Sequence, residues 1–382
     1  MTFKRWCDLC GSNQFVILLS LKGPSMLSDR RFVSSSLKKF ECKECGLVCG
    51  DWNIKKREIL EQYTNNYSYN PSVKGDAIFF TTFGIQERSV HIFKWILDEI
   101  PNEELKTAKT IIEVGCGEGN LLSKFAKKFP KKKIIGFELN YTARKLGRKK
   151  GLDIRKLNEL KNVKADIIIS YAVIEHTHSP KRFLTNIYNS LNPNGMLILG
   201  QPHQDKIYYD IFFLDHLFHF SSKHIEEYGK IANLVQIKKA VGNWPIDNFS
   251  LHFFKKSVRK LDDKIVYHKT TVKKSIQYYF RVFIKINRFL ENLETNSSLA
   301  VFGLGELFSL LFFHTNLKKM KISYGIDDYP PKNFKFPFPV ISSKKAKNLK
   351  EGPILFCVNK NYYEIVLRKI RKRKNQVFLP LK

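Results

Sequence analysis

The chain has 382 residues, 43% of them hydrophobic, with 31 Phe and 16 Tyr, which is enough for two or three packed domains. Its formal net charge is +31, from 66 Lys+Arg against 35 Asp+Glu. That charge favours anionic partners, but the lysines are spread along the chain and form no known nucleic-acid reading motif, so no specific nucleic acid is expected. No run of about 18 uncharged apolar residues occurs, so no membrane span is expected. The N-terminus lacks a signal peptide's apolar region, which predicts a cytoplasmic chain with reduced thiols. Oligomeric state is not legible at this level.

The first patterned feature is Cys7-Asp-Leu-Cys10, followed by Cys42-Lys-Glu-Cys45-Gly46. Each pair is a knuckle whose two thiolates can face one cation. Two such knuckles complete a four-sulfur tetrahedral set that suits a structural Zn²⁺. Cys49 is a spare thiol at poorer spacing. The segment "EQYTNNYSYN" then places Tyr63, Tyr67 and Tyr69 in a polar stretch.

From residue 108 the pattern is α/β. Thr110–Val114 reads as a strand, Gly115-Cys-Gly117-Glu-Gly119 as a tight turn, and the next residues as a helix with Leu121, Leu122, Phe125 and Phe129 on one face. A second strand, "KKIIGFEL", ends in Glu138, 19 residues beyond Gly119. A carboxylate there can accept both hydroxyls of a ribose. "ADIIISYAVIEH" reads as another strand with a polar loop at its carboxyl end. A helix near 180–191 follows, then a turn and a strand in "NPNGMLILGQP".

This arrangement, with Glu113 just ahead of a G-x-G-x-G turn, resembles the S-adenosylmethionine-dependent class I methyltransferases, a Rossmann-like α/β fold. "LNPNGMLIL" is similar to that family's entrance to strand five. The resemblance implies that Glu113, Gly115 and Gly117 surround the amino-acid portion of the cofactor and that Glu138 holds the ribose. It points to the region of Leu157 and Asn158 for adenine.

The stretch "FFLDHLFHFS", residues 212–221, sets Asp215, His216 and His219 among phenylalanines. Buried charge is costly unless paired, so the stretch reads either as core with satisfied polar groups or as a pocket wall. After it, 266–295 reads as a helical connector. "SSLAVFGLGELFSLLFF" is a strand, a Gly303-x-Gly305 turn and an apolar helix. "KISYGIDD" is a strand ending in Asp327 and Asp328, and "GPILFCV" is one more strand. This makes a second, smaller α/β unit. The expected organisation is a zinc-binding lobe over 1–60, a tyrosine-containing helical lid over 61–105, the methyltransferase unit over 106–260, and the connector with the C-terminal α/β unit over 261–382.

That order resembles the bacterial sugar C-methyltransferases, which act on nucleotide-linked keto-deoxysugars. In them a Tyr-x-Glu-His signature follows strand five. Here the matching run is Phe213-Leu214-Asp215-His216. The resemblance implies that His216 is the base, that Asp215 stands for the Glu, and that the family tyrosine is lost to Phe213. It also points to His176, as a substrate contact or a cap of the next helix, and to Tyr67 and Tyr69, as a cofactor cover or packing between lobes. His219 reads as structural and His178 as loop surface, while His203 reads as a further ligand contact or a packed residue. The expected reaction is C-methylation of a keto-deoxysugar. Sugar O-methylation, methylation of RNA or another macromolecule, and a non-enzymatic scaffold are the alternatives.

Overall fold

A computed structural model describes residues 6–51, 76–81, 84–257, 259–261, 265–293, 299–330, 335–346, 353–358, 363 and 376–377. Tyr63, Tyr67 and Tyr69 lie outside these residues.

The N-terminal lobe is an antiparallel sheet of β1 (Phe15–Leu21), β2 (Leu37–Cys42) and β3 (Val48–Gly50). Along β2 the side chains of Leu37, Lys39 and Glu41 are buried, while Lys38 and Phe40 are half-buried, the period of two that a strand imposes. The described part of the segment expected as a helical lid opens differently. Ile78–Thr81 and Gly84–Glu87 pair as a hairpin before helix α1 (Arg88–Glu99). The β-branched and aromatic residues of Ile78–Thr81 suit an extended backbone better than a helix.

The core sheet contains β4 (Thr110–Val114), β5 (Lys133–Glu138), β6 (Ile154–Lys156), β7 (Ala165–Tyr171) and β8 (Leu191–Pro202). The Asn192–Gly195 segment expected as a turn is carried inside β8, with Asn194 at φ 62°. Helices α2 (Asn120–Lys128), α3 (Tyr141–Lys149) and α4 (Pro180–Ser190) connect the strands. Leu121, Leu122 and Phe125 of α2 and Leu184 and Ile187 of α4 are buried. β4 and β7 are apolar runs buried on both faces, as parallel strands under helices must be.

The chain then leaves the core sheet. β9 (Phe218–His219), inside the 212–221 stretch, pairs with β3 of the N-terminal lobe, Phe218 opposite Cys49 and His219 opposite Val48. Helix α5 (Ser222–Ile231) leads back to β10 (Leu234–Val241) and β11 (Phe249–Lys256). The core order is β6-β5-β4-β7-β8-β11-β10, with β11 antiparallel to both neighbours. The order reverses between β4 and β7, and ligands of such sheets bind at the carboxyl ends there.

Helix α6 (Val272–Glu291) packs Tyr279 and Phe283 against Phe212. Its apolar face joins one cluster with Leu37, Phe213 and Phe308, so all three parts of the chain share a core. The C-terminal unit is a parallel sheet of β12 (Leu299–Phe302), β13 (Ile322–Ile326), β14 (Val340–Ile341), β15 (Ile354–Phe356) and β16 (Gln376–Val377), ordered β14-β13-β12-β15-β16. Helix α7 (Glu306–His314) follows β12. Among the described residues, no helix is long and apolar enough to cross a membrane.

Candidate active site

A cavity of about 450 Å³ opens at the carboxyl ends of β4, β5 and β7. The glycine turn forms one end. Gly115 has φ +76°, and a Cβ there would stand 2.3 Å from Val173 Cγ2, so a side chain has no place. Gly117 has φ +55° and would meet nothing within 4 Å. It lines the cavity, so its bare backbone leaves room for a ligand to approach. The Glu138 carboxylate accepts from Gly117 N–H at 2.8 Å and Asn140 N–H at 2.7 Å. These bonds anchor it where β5 ends. Glu113 is buried in the same wall, and its Oε2 has no hydrogen-bond partner among the described residues. Burial, then the nearby Glu138 charge, pushes its carboxyl up to about 8, against the opposing pull of Arg88. Leu157 lines the cavity, but Asn158 does not and is exposed. The short 3₁₀ turn over Leu157–Asn162 directs successive side chains to different sides, so the Asn158 side chain does not line this cavity.

The other end holds the imidazoles. His216 lines the cavity beside Glu175, His176 and Phe213. His216 Nδ1 lies 3.2 Å from Asp210 Oδ2. An ionised carboxylate can only accept, so Nδ1 is the donor and Nε2 is the nitrogen left for chemistry. Asp210 also takes His219 Nδ1 at 3.3 Å and Gln204 Nε2 at 2.9 Å. Burial alone would raise the Asp210 carboxyl, but the two imidazole bonds hold it far below the usual range. Burial likewise works to lower the His216 imidazole. The Asp210 bond, with the Asp210, Asp215 and Glu175 charges, outweighs burial and raises it.

Asp215 was the carboxylate expected beside His216, and the structure gives it another partner. It accepts from the backbone N–H of Ser28 at 2.8 Å and from its hydroxyl at 2.7 Å, tying this loop to the N-terminal lobe. Asp215 sits in the turn just ahead of His216 with its carboxylate taken up by Ser28, and the carboxylate that reaches the imidazole comes from Asp210, six residues earlier. His176 lines the cavity, with Nδ1 2.9 Å from the Asp215 carbonyl and its ring edge-on to His216 at 4.8 Å. Burial, then the His216 charge, lowers it to about 4. Glu175 has a buried Oε2 without a partner among the described residues, and burial raises its carboxyl to about 7. His178, expected on the loop surface, borders the cavity, whereas His203 does not and faces the Asp247 carbonyl at 3.3 Å. His219 is fully interior and away from the cavity wall.

The Methyltransferase domain family matches residues 87–241. A ubiquinone biosynthesis O-methyltransferase of Rickettsia prowazekii is 30% identical over 196 residues, covering 48% of this chain and 74% of that protein. The chain belongs to the class I S-adenosylmethionine-dependent methyltransferases. A malonyl-[acyl-carrier protein] O-methyltransferase of Priestia megaterium is 25% identical over 151 residues, 38% of this methyltransferase and 51% of that one. Among solved structures, a methyltransferase of Thermotoga maritima is 18% identical and covers 44% of this chain and 89% of its own, at a TM-score of 0.36.

In this methyltransferase the four patterned cysteines come together. Cys7 and Cys45 Sγ are 3.6 Å apart, Cys10 and Cys42 Sγ 3.5 Å, and all four lie within 4.8 Å of one another. Cys49 lies on β3 outside this group. The cluster is docked on the core. The Cys45 carbonyl sits 2.9 Å from His224 Nε2 and accepts from His268 N–H at 3.0 Å. Asp8 accepts from the Ser179 hydroxyl at 2.6 Å. From the C-terminal unit, Glu306 reaches the cavity and accepts from the Tyr209 hydroxyl at 2.8 Å. Asp327, at the end of β13, accepts from Leu304 N–H at 2.8 Å and Tyr329 N–H at 2.7 Å.

Proposed function

We propose that this methyltransferase transfers a methyl group to a nucleotide-linked keto-deoxysugar, with His216 as the base. The observation that carries this reading is the Asp210–His216 pair, which faces the same cavity as the glycine turn. The sugar class rests on the resemblance of the whole chain order and of the Phe213–His216 run. S-adenosylmethionine supplies an electrophilic methyl group on a sulfonium sulfur. His216 Nε2 takes the proton from the carbon beside a ketone, and that carbon keeps the electron pair that bonds to the methyl. Asp210 holds the imidazole in one tautomer and stabilises its charged form. Glu175 and His176 frame the base from the loop after β7, and Glu306 is the acid through which the C-terminal unit meets the substrate.

For the cofactor, Glu138 would take the ribose hydroxyls, and Glu113 with Gly115 and Gly117 the amino-acid end; Leu157 would contact adenine. A buried carboxyl with one oxygen, Oε2, lacking a hydrogen-bond partner among the described residues, beside a bare backbone, is a fitting seat for an ammonium group. Glu113 carries a proton at neutral pH in the free protein, because its folded value is about 8. A ligand ammonium favours the carboxylate, so binding releases that proton, and affinity climbs as pH rises from about 6 toward 8 before levelling. Calorimetry in buffers of differing ionisation enthalpy reads the released proton. Glu113→Gln removes both the release and the pH dependence, and an affinity flat across that range contradicts the assignment.

Cys7, Cys10, Cys42 and Cys45 would hold a structural Zn²⁺. Zn–S bonds of about 2.3 Å place tetrahedral sulfurs about 3.8 Å apart, close to the observed spacings.

A second reading is O-methylation, which the names of the Rickettsia and Priestia relatives and the loss of the family tyrosine at Phe213 favour. The deciding experiment offers labelled S-adenosylmethionine with a panel of nucleotide-linked 4-keto and reduced sugars, read by mass spectrometry. One methyl gained only on keto sugars, with exchange of the neighbouring carbon-bound hydrogen, is the expected result. Methylated reduced sugars move the enzyme to the O-methyl class. No product on any nucleotide-linked sugar overturns the substrate class.

A further inference from the structure

Strand β2 breaks its own pattern at two residues, Lys39 and Glu41. Its inward side chains run Leu37, Lys39, Glu41 before Cys42, so an amine occupies a position where the alternation calls for an apolar side chain. Local rules broken inside a core mark strain or function. Lys39 is 0% exposed. Its Nζ donates to the Phe213 carbonyl at 2.8 Å and to the His216 carbonyl at 2.7 Å. These two carbonyls bracket the turn that carries Asp215 and His216. Burial lowers its amine to about 7 against the pull of the Asp210 and Asp215 charges, so burying this side chain is costly, and two carbonyl bonds are a poor return unless the turn they hold matters.

We propose that Lys39 is a positioning residue of the methyl-transfer site: from the cysteine-bearing lobe it pins the 213–216 turn and thereby holds His216 on Asp210. The inference rests on the reading of His216 as base, but its consequence for the turn does not depend on any substrate. Neighbouring bonds work with it. Leu214 N–H donates to Met26 O and Leu217 N–H to Glu175 O, both at 2.8 Å, so the turn is held on either side of the clamp. The charged and titratable groups facing Lys39 are Asp210, Asp215, Cys49, His176 and His219. Burial, then the Lys39 charge, lowers His219, the second imidazole on Asp210, to about 3. The proton that Asp210 stabilises therefore goes to His216, the imidazole that lines the cavity.

The test uses the full-length protein loaded with S-adenosylhomocysteine and needs no sugar. Lys39→Met keeps the length of the side chain and removes its donors and charge. Exchange of the His216 Nδ1 proton and of the Leu214 and Leu217 amides, followed by NMR, is expected to accelerate about tenfold or more. The β4 and β7 amides and the cofactor affinity stay at wild-type values. Lys39→Gln retains a donor but cannot span both carbonyls, and it gives a smaller acceleration of the same protons. It serves as the reading if the Met variant does not fold. Wild-type protection of the His216 Nδ1 proton and the Leu217 amide in a folded variant overturns the proposal. So does acceleration spread evenly over β4 and β7, because that would mean general destabilisation. A failure of the sugar assay alone leaves this result intact, so the two readings fail separately.

Discussion

Replacing His216 by alanine lowers methyl transfer by about 10²–10⁴-fold, the usual loss when a general base is removed, and leaves S-adenosylmethionine binding close to wild type. The separation follows from the architecture. The cofactor end of the cavity is built by the loops after β4 and β5, while His216 comes from the segment after β8, held by Asp210. Calorimetry for the cofactor and a labelled-methyl assay for turnover check the two halves independently. Turnover within tenfold of wild type in His216→Ala would remove the histidine from the reaction. The pH profile carries a sign that tests the same pair. A base works when deprotonated, so kcat/KM falls as pH drops through the folded pKa of His216. That value is raised above the ordinary imidazole value of about 6.5. Asp210→Asn removes the charge that raises it and leaves at most a weaker, neutral acceptor for Nδ1–H, so the acid limb moves to lower pH while the maximum rate drops.

The second large effect belongs to the cysteine cluster. Purified protein should carry about one zinc per chain, and Cys42→Ser should lose it together with the fold of the N-terminal lobe. Structural zinc sites supply on the order of 10 kcal/mol of binding free energy, more than a lobe of this size can draw from its own core. The damage should reach the active site, because β3 pairs with β9 next to His216 and Ser28 holds Asp215. Elemental analysis and limited proteolysis of the wild type, Cys42→Ser and Cys49→Ser measure this. Cys49→Ser should keep its metal, since that sulfur stands outside the cluster. A Cys42→Ser protein with full metal content and wild-type protease resistance would refute the site.

Much of this molecule was readable residue by residue, and the reason is that the readable parts are local. A parallel strand buried on both faces must be an apolar run, so Thr110–Val114 announces β4 without help from the rest of the chain. A glycine turn needs backbone freedom within a few residues, so Gly115 and Gly117 stand out. Two cysteine knuckles are short enough for their spacing alone to predict the four-sulfur cluster, although 31 residues separate them.

The parts that spacing could not supply depend on chain crossing from one layer to another. Asp215 adjoins His216 in sequence, yet Ser28 of the N-terminal lobe takes its carboxylate, and Asp210 takes the imidazole instead. Asp210 carried a weak signal, an acid amid the aromatics of "YYDIFF", but no rule of local spacing ranks it above Asp215. Nothing in the sequence singles Lys39 out among the lysines spread along the chain. Its burial is decided by the pairing of β3 with β9, which brings β2 beneath the Phe213 and His216 carbonyls. Glu306 reaches the cavity because α6 and the 211–214 segment share one apolar cluster with the C-terminal unit. Sequence by itself determined the main strands of the core sheet, the glycine turn and the thiol cluster, since each is dictated by periodicity or by backbone chemistry within a few residues. Only the tertiary structure decided which acid meets which base, because a buried charge is stabilised by whatever distant group the packing delivers to it.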